Sequence, residues 1–162
     1  MAFYTVAGQR WFIGPAKDFQ QTDFIASNFT SITEGDWDEI KGIISVGQWG
    51  DESQFGSVAF LDTRRQFSFP TTYGASPATF QLARDPADPG QAAILVAAAN
   101  PAVTYAMRCF FNDAPSGGTP TTAYFIARWS PPRFDGGTVQ DVDSWTPTMT
   151  ISSNVVIVPR AA

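Results

Sequence analysis

The chain has 162 residues, a formal net charge of −5 without a single His, and 44% apolar but only 15% charged side chains. That length predicts one hydrophobic core and one domain over residues 1–162. The acidic balance, with basic residues scattered singly apart from Arg64-Arg65, excludes nucleic-acid binding through clustered phosphate contacts.

At the start, Met1-Ala2-Phe3-Tyr4 has neither a basic n-region nor an apolar h-region, so no signal peptide is expected. No apolar run approaches the roughly 20 residues that span a bilayer, so no membrane partner is expected either. Both point to a protein made in a cytoplasm. Thr22 to Thr33 mixes β-branched and aromatic residues with polar ones and predicts a strand. Glu34-Gly35-Asp36 is a turn signal. Trp37 to Val46 partly fits helical spacing, but its paired β-branched residues and the following glycines favour a strand. Ser57 to Leu61 reads as another strand. Arg64 to Pro77, broken by Pro70, Gly74 and Pro77, reads as a long irregular stretch.

Thr79 to Ala83 alternates like a half-buried strand. A helix is expected over about 89–99, because Asp88 can cap it, Pro89 suits its first position and Pro101 forbids its continuation. Val103 to Phe111 and Thr121 to Trp129 are strand candidates joined by Asn112 to Pro120, a loop rich in Gly and Pro. Pro131-Pro132 is expected to end the second of these. Further strands are predicted near Thr138 to Val142, Trp145 to Ile151 and Val155 to Val158. The fold class is therefore mainly β: a sandwich or partial barrel of antiparallel strands with one flanking helix.

Catalytic chemistry is thin. The lack of His removes the commonest general base and metal ligand. Cys109 is the one cysteine, so neither an internal disulfide nor a thiolate cluster can form, and its apolar run predicts a buried, inert thiol. The acidic pairs Asp36/Asp38, Asp51/Glu52, Asp85/Asp88 and Asp141/Asp143 are more simply turn caps than the facing carboxylates of a glycosidase. Asp135 to Asp143 lacks the acid spacing of a calcium loop. No catalytic, cofactor or metal residue is therefore assigned. The five Trp residues suit a core or a subunit interface better than a sugar-stacking platform.

Four stretches in order resemble the major tail tube proteins of siphophages, the lambda-like tail tube family. Gly35-Asp36-Trp37 through Ile40, Gly42-Ile43 and Gly47 to Gly50 and Glu52 is similar to that family's W-x-x-I-x-G-V…G-x-x-G-x-E run. Asp62 to Pro77 stands where the family carries a ring-stacking loop. Phe80-Gln81-Leu82 followed by Asp88-Pro89-Gly90-Gln91 and Leu95 looks like the strand and D-x-G-Q-x-x-L lead-in to the family's one sizeable helix. The hairpin Tyr105 to Ala127, then Gly136 to Val139 and Trp145 to Ile151, completes the order. Departures are the proline-rich Pro131-Pro132 and an end at Ala162, with no further immunoglobulin-like domain expected.

The resemblance implies a structural virion protein, not an enzyme, that forms hexameric rings stacked around a tape measure protein into a tube conducting DNA. Tail tip and tail terminator proteins would be its other partners. Inter-ring and inter-subunit contacts are expected from the stacking loop, through Arg64, Arg65, Phe67, Phe69 and Tyr73. An N-terminal arm, residues 1–17, would add Phe3, Tyr4 and Trp11. Glu34, Asp36, Asp38 and Glu39 are candidates for an acidic lumen that repels phosphate. Two other readings stay open: a head–tail joining or tail terminator protein, and a carbohydrate-binding β-sandwich.

Overall fold

The computed structural model describes residues 3–61 and 65–162. In chain order the elements are β1 (Arg10–Ala16), a four-residue helix α1 (Ser27–Thr30), a 3-10 turn (Glu34–Asp36), β2 (Asp38–Ile40) and β3 (Ile43–Val46). Next come β4 (Glu52–Ala59), β5 (Gln66–Gly74), β6 (Ala78–Ala83) and α2 (Pro89–Ala99). β7 (Tyr105–Phe110), β8 (Thr122–Asp135), β9 (Ser144–Ile151) and β10 (Val156–Val158) complete the chain. The main sheet runs β2-β1-β7-β8-β9-β6-β3, with β10 added to β8, and β4-β5 form a separate two-stranded sheet. Every pairing is antiparallel.

The two end strands, β2 and β3, are joined by only Lys41-Gly42, so the sheet must curl until its ends meet. They do not pair, and the result is a partial barrel. Gly42 makes the corner at φ +72°, where a side chain would also come within 2.9 Å of the Ala83 carbonyl. Helix α2 starts beside this corner and packs against β2, β1 and β8. Its Gly90 lies so close to β2 that a Cβ would stand 2.3 Å from the Glu39 oxygen.

Strict alternation sorts the side chains of β1, β7 and β8 to two faces. Trp11, Ile13, Met107, Cys109, Phe125 and Trp129 point inward to a core shared with β6, β9 and Ile94 of α2. Phe12, Ala106, Tyr124 and Ile126 point outward, where Phe24, Phe29 and Trp37 cover them. The central strands are thus buried on both faces.

Helix α2 matches its expected bounds. Asp88 caps it by accepting from the Gln91 N–H, with Pro89 at the first position. Several expectations need correction. Thr22 to Thr33 is not a strand: Asn28 Oδ1 accepts from the Ile25 N–H, the chain turns into α1, and Phe24 and Phe29 lie over the outer face. Arg64 to Pro77 is not irregular, because Gln66–Gly74 pairs with β4. Thr138 to Val142 is a turn closed by Asp141, which accepts from Thr138 N–H and hydroxyl.

Pro131-Pro132 does not end β8. The ladder with β9 shifts register between Ser130 and Arg133, so Pro131 and Pro132 lie opposite Pro147. Three residues without an N–H share one bulge, where no ladder bond needs them. Pro70 follows the same logic at the register shift of the β4–β5 pair. There the Thr71 hydroxyl donates to the Gln54 carbonyl at 3.0 Å.

Candidate assembly surfaces

The β4–β5 hairpin is amphipathic in an unusual setting. Its register pairs Gly56 with Phe69 and Val58 with Phe67 on one face, and Ser57 with Ser68, Ala59 with Gln66 and, nearer the base, the exposed Phe55 with Pro70 on the other. Phe60 extends the first face by an edge-to-face contact with Phe67, ring centroids 5.9 Å apart. On the second face the Gln66 amide donates to the Ser57 hydroxyl at 2.6 Å. Gly56 is small because the Phe69 ring lies over it, within 3.1 Å of where a Cβ would be. None of the hairpin's described residues is buried, and Phe67 and Phe69 are each about half exposed. A lone two-stranded ribbon is marginal in water. An uncovered row of Val58, Phe60, Phe67 and Phe69 is the surface of an element made to be covered.

Of the predicted contact residues, Phe67 and Phe69 lie on this apolar face. Arg65 is exposed at the start of β5, and Tyr73 is exposed at the hairpin base. Arg64, with Met1, Ala2, Asp62 and Thr63, lies outside the described residues. Phe3 and Tyr4 are exposed, and the Tyr4 hydroxyl accepts from Arg160 Nη1 at 2.6 Å. Trp11 is a correction. Residues 10–16 are not a free arm but strand β1, between β2 and β7, and Trp11 is 1% exposed in its own subunit's core. Its ring meets Trp49 and Phe80 edge-on.

The four acidic candidates share one segment but differ in electrostatic state. Glu39 accepts a two-pronged hydrogen bond from Arg10 at 2.7 and 2.9 Å, which holds its carboxyl below the usual range. Glu34 accepts from Arg108 at 2.7 Å and is likewise held low, first by that hydrogen bond. Asp36 is exposed and Asp38 half-buried. Only the last two project charge without a cation paired to them among the described residues.

Two residues that sequence reasoning passed over organise the fold around these surfaces. Arg108 is buried in β7, its guanidinium 4.4 to 4.7 Å from the rings of Phe12, Trp37 and Phe110. Its Nε has no hydrogen-bond acceptor, and the aromatic faces stabilise the charge instead. A lone Arg in an otherwise apolar strand was the available signal. Gln91, in α2, donates to the carbonyls of Lys41 and Ala83 and accepts from the Asp85 N–H and the Trp145 indole. The Asp88-Pro89-Gly90-Gln91 motif had marked it, but not its role.

The molecule offers little for catalysis. Burial pushes the Cys109 thiol up to about 12, far from a reactive thiolate. Trp11, Trp37, Trp129 and Trp145 are all buried and Trp49 packs on the inner core, so no exposed Trp platform for a sugar exists.

Residues 18–127 match the protein family described as phage tail tube protein, TTP. No curated protein matches the sequence. Solved structures with a similar fold include the sheath/tube terminator of an extracellular contractile injection system, PVC, in its extended state. It shares 10% identity at a TM-score of 0.67, over 98% of each chain. The SPP1 tail tube, determined by solid-state NMR and cryo-EM, shares 11% identity at a TM-score of 0.62, over 96% of this chain and 80% of that one. The tube-terminating cap of the anti-feeding prophage shares 11% identity at a TM-score of 0.58, over 98% and 94%. At such identities the likeness is one of fold.

Proposed function

Because the chain belongs to the phage tail tube protein family, a structural family of the virion tail and not one of enzymes, we propose that it is the repeating subunit of a siphophage-type tube. Six copies close a ring, and rings stack through the β4–β5 hairpin. The tube forms in the host cytoplasm around a tape measure protein, between tail tip and terminator proteins, and later conducts DNA.

One observation carries this reading: the apolar face of β4–β5, a ribbon too small to be stable alone, is left open by its own chain. Ring closure and stacking cover it with further copies, and pairing between subunits occupies strand edges that otherwise invite uncontrolled aggregation. The residues Arg65, Phe67, Phe69, Tyr73, Phe3 and Tyr4 are exposed and suited to such contacts. Arg64 is assigned with them from sequence alone. Trp11 acts indirectly, by holding β1 in place.

An acid-lined lumen suits passage of DNA, since net negative charge repels phosphates. Asp36 and Asp38 are its best local candidates. Glu34 and Glu39 are offset by Arg108 and Arg10.

Negative-stain electron microscopy of the purified chain, before and after concentration, tests the proposal. Hollow tubes of uniform diameter are expected. A terminator would stop at single rings. A chain that stays monomeric even with tail-tip and tape measure partners would contradict the tube.

A further inference from the structure

A second apolar surface is open beside helix α2. Between α2 and the outer half of β8 lies a groove of about 200 Å³, floored by Trp145, Pro86 and Ala92 and walled by Leu95 and Phe134. Leu95 is half exposed and Phe134 two-thirds exposed. The hairpin supplies no residue to its lining. Drug-sized ligands need pockets of roughly 300 Å³ or more. A groove this small and this apolar suits one or two inserted side chains.

Its surroundings are acidic. Asp85 lies on the lining, Asp143 pairs with the lining residue Arg84 at 3.0 Å, and Asp135 and Asp141 line the adjoining depression. Arg84 and Arg133 are the nearby cations, so carboxylates outnumber them. The tip of the β4–β5 hairpin is the opposite: Phe60, Leu61 and Phe67 are exposed and apolar, with Arg65 beside them in the chain's one basic pair. Both surfaces are uncovered and apolar at the centre, and Arg65 is the described charge nearest the hairpin tip, opposite in sign to the aspartates around the groove.

We propose that the hairpin tip of one copy inserts into the α2–β8 groove of another, Leu61 and Phe67 entering between Leu95 and Phe134 while Arg65 meets the aspartate rim. This rests on the tail tube reading and names the partner of its hairpin. Because the two surfaces are different patches of one chain, the contact is head-to-tail, the kind that propagates into rings or stacks instead of stopping at a dimer.

Disulfide trapping between two single-site variants tests it. Leu61→Cys in one chain and Leu95→Cys in a second, tagged chain of distinct mass are co-assembled and oxidised. The native Cys109 is buried and silent. The mixed disulfide is expected in several-fold excess over a control pair of Leu61→Cys with Ile25→Cys, an exposed position that is not part of the groove. Phe134→Cys replaces Leu95→Cys if that chain does not assemble.

Tubes that form with no excess over the control would overturn the docking site and leave the tube standing. A wild-type chain that forms no assembly even with tail-tip and tape measure partners would overturn both. As a second readout, Arg65→Glu is expected to raise the concentration needed for assembly, and more at low salt than at high. Equal assembly of Arg65→Glu and wild type at low salt counts against the docking.

Discussion

The side-chain oxygen of Gln91 accepts a 3.1 Å hydrogen bond from the indole nitrogen of Trp145, tying helix α2 to strand β9. The same carboxamide holds the Lys41 carbonyl at the corner between β2 and β3, and the Ala83 carbonyl at the end of β6. One side chain therefore joins the β2–β3 corner, the end of β6 and strand β9 to the helix. Replacing it with the isosteric but apolar Met (Gln91→Met) strands several polar groups, each costing about 1–3 kcal/mol where water cannot reach. A loss of about 3 kcal/mol is expected in denaturant unfolding, measured on a subunit kept monomeric by dilution.

Gly90 sets the distance between α2 and β2. A Cβ there meets the Glu39 carbonyl, which is backbone and cannot swing aside. Gly90→Ala is therefore expected to destabilise by about 3 kcal/mol, the upper range for overpacking, although Ala is the better helix former. Gly35, with nothing within 4 Å, serves as the control, and Gly35→Ala should change thermal stability little.

The Glu34–Arg108 pair predicts a pH dependence. The carboxyl is held below its ordinary value, so its contribution to stability is fully present above the unfolded pKa of about 4.3 and is lost as pH falls through the lower folded value. Melting temperatures of wild type and Glu34→Gln should differ at neutral pH and converge on acidification below pH ~4. Equal melting at neutral pH would remove the pair from the account.

The hairpin predicts a separation of folding from assembly. Phe67 and Phe69 touch little of their own subunit's core, so Phe67→Ser with Phe69→Ser should leave subunit stability within about 1 kcal/mol. The same pair should abolish tubes at concentrations where wild type forms them. Thermal unfolding and electron microscopy on one preparation read both effects.

The sequence showed some of this plainly. Asp88, Pro89 and Pro101 bracketed α2 because capping and the missing proline N–H act within a few residues. The alternation in β6, β7 and the inner half of β8 was legible for the same local reason. Strand β5 was not, because both its faces are exposed in the free subunit and Pro70 looks like a breaker until its bulge is seen. Pro131-Pro132 misled likewise, since only the partner strand shows Pro147 at the same point. Phe24 and Phe29 read as strand residues because they are apolar and aromatic, yet they cover a sheet face from a turn. Trp11 looked like an anchor for a neighbour, and only the pairing of β1 with both β2 and β7 shows that it belongs inside. The groove at Leu95 was invisible for the same reason, since its lining comes from α2, β8 and β9 together.

Amide hydrogen exchange over Glu52 to Gly74, compared between free subunit and assembled tube, tests the central claim most directly. The hairpin amides should exchange rapidly in the free subunit, faster than those of β7 and β8, and become strongly protected in the tube. Exchange that is as fast in tubes as in free subunits would contradict the account, since the apolar face of β4–β5 would then be open in both.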